Sequence, residues 1–204
     1  MVDMNRARVV VTGLGAITPL GQTADTFWQN LVAGRSGIGP MTLCDPTDYP
    51  CRISGEVSDF DPVQYINARE ARRMARFSQL AVAAGLSAVE SAGLDMSQED
   101  PYRVGVTLGN GNGGFPTLEE NCRILADRGG MRMSPFFFPM ILPNMAAANV
   151  SRFVGTKGYN STATTACAAS NQAMGEALEA IRRGVADVML AGGAEAGISQ
   201  LGLA

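Results

Sequence analysis

The sequence predicts an α/β lobe in which a mostly parallel sheet is covered by helices. Three observations predict it. Arg8–Thr12, Arg103–Leu108 and Asp187–Leu190 are short apolar runs without polar alternation, the pattern of strands buried on both faces. Segments with helical spacing lie between them along the chain. Gly and Pro number 24 and 10, so tight turns separate short elements.

The elements follow in order. Arg8–Thr12 is the first strand, broken by Gly13, Gly15, Pro19 and Gly21. Thr23 or Asp25 caps a helix through Phe27, Trp28, Leu31 and Val32, which Gly34 stops. Residues 35–62 are rich in Gly, Pro, Asp and Ser and read as loop, with a short strand signal at Ile53–Val57. A long helix runs from Ala68 to Ser91 and ends at Gly93. Its Arg69, Arg72, Arg73 and Arg76 fall at i, i+3, i+4 and i+7 and so share one face. Arg103–Leu108 is a strand, Gly109–Gly114 a glycine loop and Leu118–Ala126 a helix. Met133–Ser151 carries no charge over 19 residues, about the length of a bilayer span. Pro135, Pro139, Pro143, Asn144 and Asn149 argue against a lipid-embedded helix. A buried loop and a short helix, packed inside the protein or on a partner subunit, fit better. Ser161–Ala166 reads as a strand. A helix then spans about Ala169 to Arg183, with Ala173, Ala177 and Ile181 inside and a Glu179–Arg183 pair outside. Asp187–Leu190 is the last strand, before Gly192 and Gly193. No linker or repeat divides the chain, so residues 1–204 read as one lobe. Gln200–Ala204 carries no stop signal and breaks off in mid-pattern, as a fragment would.

Composition excludes several classes. The chain is 46% hydrophobic and 17% charged, too apolar for disorder, and a net charge of −3 gives no basic field for nucleic acid. It has no His, which removes a Ser-His-Asp triad, His-ligated zinc and an imidazole shuttle from this chain. Lys157 is the lone lysine and sits in a turn between Gly155 and Gly158, where solvent exposure is expected. Cys44, Cys51, Cys122 and Cys167 form no C-x-x-C pair, so no metal site is expected. No signal peptide is visible, and a cytoplasmic, reducing location with free thiols is the expectation.

Two stretches carry chemistry. In Thr165-Ala166-Cys167-Ala168-Ala169-Ser170 a cysteine stands between a strand and a helix among small neighbours. A helix start offers unpaired N–H groups and a positive dipole end, which favour a thiolate and can hold an oxyanion. This is the layout of a nucleophile elbow with Cys in place of Ser. A buried structural cysteine is the other reading of the same local pattern. The second stretch is Gly109-Asn110-Gly111-Asn112-Gly113-Gly114, which contains the G-x-G-x-x-G spacing of a dinucleotide loop. Pro116 follows it directly, and no acid sits at the expected offset, so nucleotide binding is disfavoured.

Taken together, the motifs resemble the N-terminal half of the β-ketoacyl-[acyl-carrier-protein] synthases, most closely the type II elongating enzyme of fatty acid synthesis. The matching residues are Val9-Val10-Val11-Thr12-Gly13-Leu14-Gly15, Gly34-Arg35-Ser36-Gly37-Ile38, Glu119-Glu120-Asn121, Ser134-Pro135-Phe136-Phe137, Thr165-Ala166-Cys167 and the run from Ala186 to Glu195. They stand in family order and span the chain. The resemblance implies a thiolase-like fold of two similar α/β halves, with residues 1–204 as the N-terminal lobe. It implies that Cys167 takes an acyl chain from acyl carrier protein as a thioester, for condensation with decarboxylated malonyl carrier protein. The family's two histidines and a lysine for decarboxylation belong to a C-terminal half, absent from this chain, which alone is not expected to condense anything.

The same resemblance assigns Arg69, Arg72, Arg73 and Arg132 to docking the acidic carrier protein. Arg76 extends the stripe without a family counterpart. Substrates would ride on the carrier's phosphopantetheine, with no separate cofactor. Gly111, Asn112, Phe138 and Ala166 would line the acyl pocket, where Asn112 and Phe138 would hinder a long chain and favour a short, modified or polyketide-type one. A homodimer is implied, through the strand before Cys167 and the Pro-rich stretch. Cys44, Cys51 and Cys122 have no counterpart and read as spectators. Two rival readings remain: a non-catalytic half-length homologue that pairs with a complete synthase, and a nucleotide-binding module. Thiolase shares the fold and nucleophile, but the arginine stripe and Gly192-Gly193-Ala194-Glu195 fit the synthases better.

Overall fold

A computed structural model describes residues 7–204. Helix α1, Ala24–Val32, starts where Thr23 accepts the Thr26 N–H and stops before Gly34, whose φ is +67°. A short antiparallel pair follows, β1 (Ile38–Pro40) and β2 (Ile53–Gly55), with Ile38 opposite Gly55. Glu56, just past β2, closes this corner. Its carboxylate accepts from the Thr42 N–H (2.9 Å), the Leu43 N–H (3.1 Å) and the Ser54 hydroxyl (2.8 Å). Burial pushes the Glu56 pKa up, but the bonds from Thr42, Leu43 and Ser54 outweigh it and bring it down to about 2.

The expected long helix is two helices. α2 spans Ala68–Ala71 and α3 spans Arg76–Ala92. Residues 72–75 turn between them, and Met74 and Ala75 are buried there. The Gln79 side-chain amide donates to the carbonyls of Ala71 (2.9 Å) and Met74 (3.2 Å) and so bridges the break, where the Ala71 carbonyl also accepts the Met74 N–H (3.1 Å). Gly93, at φ +63°, ends α3 as expected.

The main sheet has three parallel strands: β3 (Val104–Gly109) in the middle, β4 (Asn160–Ala163) on one side and β5 (Val188–Gly193) on the other. Between β3 and β4 run α4 (Phe115–Arg128), α5 (Phe137–Ile141) and α6 (Met145–Val154). α7 (Ala169–Arg182) joins β4 to β5, and α8 (Gln200–Leu203) closes the chain. Every residue of β3 is buried, and its alternation assigns the layers. Val106 and Leu108 join the core that α3 and α6 supply, with Ile66, Phe77, Val82 and Val150. On the other face, the Thr107 hydroxyl bonds the Ser161 hydroxyl (2.8 Å), and Ser161 donates to Glu176 of α7 (3.1 Å). The inner face of α7 is Ala169, Ala173, Ala177 and Ala180, all buried. These small side chains let the helix lie close to the sheet.

Three further expectations are corrected. Residues 8–12 form no strand among the described residues, and Val10 and Val11 are 65% and 80% exposed. An apolar run becomes a strand only when a neighbour supplies its ladder, and neither edge of this sheet pairs with it. Gly13 and Gly15 instead lie on α3; a Cβ there would come within 2.4 Å of the Ala88 carbonyl oxygen and 1.9 Å of that of Ala84. The Pro-rich stretch holds two helices, of which α6 is largely buried, while Pro135, Phe138 and Pro139 are exposed. On α7 the Glu179 carboxylate meets Arg182 at 3.3 Å rather than Arg183, which donates to the Glu179 carbonyl. No described helix is long and apolar enough to cross a membrane.

Candidate active site

The register aligns Ala163, Gly109 and Gly193 at the C-terminal edge of the sheet. In open parallel sheets this edge is where ligands bind. Cys167 stands just beyond it, in a 3₁₀ turn, Ala166–Ala168, that leads into α7. Ala166 has φ +49°, the one non-glycine in the left-handed region among the described residues. That conformation costs an L-residue about 1–2 kcal/mol, and a methyl group keeps the cost near its minimum. The turn closes where the Ala168 N–H donates to the Thr165 carbonyl at 3.0 Å. Cys167 is a free, exposed thiol, and no side chain caps the start of α7. The thiol therefore stands beside first-turn N–H groups that no side chain has taken.

Close backbone approach brings α7 there. A Cβ on Gly109 would lie 2.2 Å from the Ala169 carbonyl carbon, and one on Gly193 would lie 2.8 Å from the Ser170 Cβ. Only glycine at both strand ends lets the helix start abut the sheet.

The glycine loop lies alongside. A Cβ on Gly111 would be 3.9 Å from the Ala166 Cα, so Gly111 and Ala166 are brought together, with Asn112 next along the loop and its amide facing Gly197. The loop's own N–H groups are engaged. The Glu195 carboxylate accepts from the N–H groups of Gly111 (2.9 Å) and Asn112 (3.2 Å), and Asn110 accepts from that of Gly113. A carboxylate of the chain itself thus sits where a dinucleotide loop would hold phosphate, which agrees with the expectation that this spacing does not bind a nucleotide. The Gly114 N–H donates to Ile141 at the end of α5 (3.0 Å), tying the loop to the helix that carries Phe138. Phe138 is 68% exposed and packs edge-on against Phe137. Sequence reasoning assigned no role to Glu195 or Asn110. The available signal was an acid two residues after an apolar strand that ends in a glycine pair.

The arginines separate. Arg69 on α2, Arg72 in the following turn and Arg132 in the 3₁₀ turn Gly130–Arg132 are exposed. Arg73 lies 4.5 Å over the Phe136 ring and 3.8 Å from Glu70, so it links that turn to the segment just after Arg132. Glu70 is also held by Arg152. Arg76 does not extend the stripe. It donates to the carbonyls of Phe60 (3.1 Å) and Val57 (2.8 Å) and stacks on the Phe60 ring. The break before α3 turns it inward.

Of the other thiols, Cys51 and Cys122 are exposed and Cys44 is half-buried. Burial first, then the charges of Glu119, Glu56 and Asp45, pushes the Cys44 thiol up, away from the reactive form.

The geometry agrees with what the chain is similar to. Over its full 204 residues it is 45% identical to a 3-oxoacyl-[acyl-carrier-protein] synthase 2 of Synechocystis sp., of which it covers 49%. Over 197 residues it is 42% identical to the enzyme of the same name from Staphylococcus aureus, covering 48% of it. The chain thus spans about half the length of these curated relatives. Among solved structures it resembles the ishigamide ketosynthase/chain length factor (TM-score 0.85, 33% identity, 92% of this chain and 47% of that one). It also resembles a type II polyketide synthase acyl carrier protein in complex with its ketosynthase bound to the hexaketide (TM-score 0.80, 31% identity, 95% and 52%). These neighbours are ketosynthases, and the fold is thiolase-like. The family described as "Beta-ketoacyl synthase, N-terminal domain" matches residues 6–204, and the chain belongs to it.

Proposed function

We propose that this lobe performs the acyl-loading half of a 3-oxoacyl-[acyl-carrier-protein] synthase reaction. The observation that carries it is the Ala166–Ala168 elbow: an exposed thiol, preceded by a left-handed alanine, at an uncapped helix start on the sheet's C-terminal edge. The Cys167 thiolate attacks the thioester carbonyl of an acyl group carried on phosphopantetheine. The carbonyl oxygen takes the negative charge and draws on the adjacent N–H groups. The C–S bond to the carrier breaks, and the phosphopantetheine leaves as a thiolate that picks up a proton from water. The acyl group stays on Cys167 as a new thioester, ready for a decarboxylated malonyl unit. That second step uses histidines, and this sequence has none. They come from outside these residues.

Acyl carrier protein is the proposed partner. The ketosynthase neighbour in complex with its carrier supports it, as do the exposed cations of Arg69, Arg72 and Arg132 beside Arg73. Positive charge at a rim speeds encounter with an acidic protein. Asn112 and Phe138 favour a short or polar acyl chain. Homodimerisation is proposed along β4, whose outer edge is unpaired among the described residues, and along α5. The rival role, a non-catalytic lobe that pairs with a complete synthase, is favoured by the missing histidines alone. A Cys167→Ala variant separates the two. Loading should vanish while carrier binding, followed by titration at low salt, persists. Carrier binding with no loading in the unaltered protein supports the rival.

A further inference from the structure

The Glu195 carboxylate has a place in the fold that the loading reaction does not explain. The segment after β5 is stitched to the glycine loop. The Ala194 N–H donates to the Gly109 carbonyl (3.1 Å), and the Asn110 amide donates to the Ala194 carbonyl (2.5 Å). Glu195 then accepts two successive loop N–H groups on one oxygen, those of Gly111 and Asn112. Its other oxygen takes the Ala196 N–H (3.2 Å). Gly197 completes the contact, since a Cβ there would lie 3.2 Å from the Asn112 Nδ2. A loop of four glycines has a large conformational freedom to lose. Asn110 and the Gly114 N–H anchor its two ends, and the two charge-assisted bonds from Glu195 hold the tip between them.

We propose that Glu195 is a positioning residue. It latches the 110–113 loop beside the Cys167 turn and so sets the wall, carried by Asn112, that decides which chain lengths reach the thiol. Glu195 touches neither the thiol nor the acyl group; it acts through the backbone of Gly111 and Asn112. The inference rests on the reading of Cys167 as acyl acceptor with that loop as its pocket wall.

The test is alkylation of residues 1–204 with N-ethylmaleimide and with a long-chain N-alkylmaleimide, read at each cysteine by peptide mass. Amide exchange at Gly111 and Asn112 is followed in parallel. Glu195→Ala should speed exchange at both amides by about tenfold or more and change the long-to-short rate ratio at Cys167. Glu195→Gln keeps an acceptor oxygen and should restore both readouts most of the way. Exchange or a rate ratio that stays at the wild-type value in Glu195→Ala overturns the proposal. If Glu195→Ala unfolds, half-buried Cys44 will react faster as well, and Gly197→Ala then decides. It presses on Asn112 with the latch intact, so it should shift the ratio while Gly111 exchange stays slow; an unchanged ratio again overturns the proposal. Maleimide needs only a reachable thiol. A failed latch is therefore distinguishable from a failed loading reaction, in which the ratio responds but no carrier ever delivers an acyl group.

Discussion

Gly109→Ala tests how the site is held. Gly109 ends the central strand, and an added Cβ would stand 2.2 Å from the Ala169 carbonyl carbon, 2.3 Å from the Ser170 nitrogen and 2.4 Å from the Ala169 oxygen. All three atoms are backbone, so no rotamer relieves the clash. The start of α7 or the end of β3 must retreat by more than about 1 Å to restore ordinary contact. Overpacking of this kind costs about 3 kcal/mol, the upper part of its usual range. For a chain of this size that lowers Tm by about 6–12 °C. The assay is urea unfolding together with the alkylation rate of Cys167, which the displaced helix start should change. Gly175→Ala is the control. It lies in the middle of the same helix with nothing within 4 Å of its Cβ position, so it should stabilise by up to about 1 kcal/mol. A Gly109→Ala protein within about 0.5 kcal/mol of wild type would refute the claim that close approach builds this elbow.

Other expectations follow from the same structure. Glu56→Gln should cost about 1–2 kcal/mol near neutral pH. Because the folded Glu56 pKa is lowered to about 2, below its ordinary 4.5, the gap to wild type is full above pH 4.5 and closes as pH falls toward 2. Unfolding at several pH values reads it, and a gap that stays constant contradicts it. Arg76→Ala should lose about 2 kcal/mol of stability through its two carbonyl bonds and leave carrier binding unchanged. Arg72→Glu should do the opposite, slowing association most at low salt; stopped-flow binding at two ionic strengths separates the pair. Phe77→Ala, buried in the first turn of α3, should cost about 3–5 kcal/mol in the same unfolding assay.

The central strand was legible because β3 is buried along its whole length, and an uninterrupted apolar run encodes that directly; β5, a half-buried edge strand, carries the same kind of run. Cys167 was legible because alanines around a cysteine at a strand-to-helix junction leave room for a sharp turn. The left-handed φ of Ala166 was not, since alanine carries no preference for it. The break after Ala71 was hidden by the arginine periodicity, which continues through it; the Gln79 amide that completes the broken turn is a tertiary detail. Arg8–Thr12 shows the converse limit, for pairing depends on a neighbour the run cannot name. The β1–β2 pair joins segments separated by a long irregular loop, whose turn residues Asp45, Pro46 and Pro50 mark a loop without naming the strands on either side. The glycine loop was legible as a poor phosphate cradle from Pro116, but its actual partner, Glu195, is distant in sequence and could not be read.

The most direct measurement of the central claim is peptide mapping by mass spectrometry after incubation with a short-chain acyl-[acyl carrier protein]. One acyl mass is expected on the peptide that contains Cys167, with Cys44, Cys51 and Cys122 unmodified, and no adduct in Cys167→Ala. No adduct at all, or an adduct spread over Cys51 and Cys122 as readily as over Cys167, would contradict it.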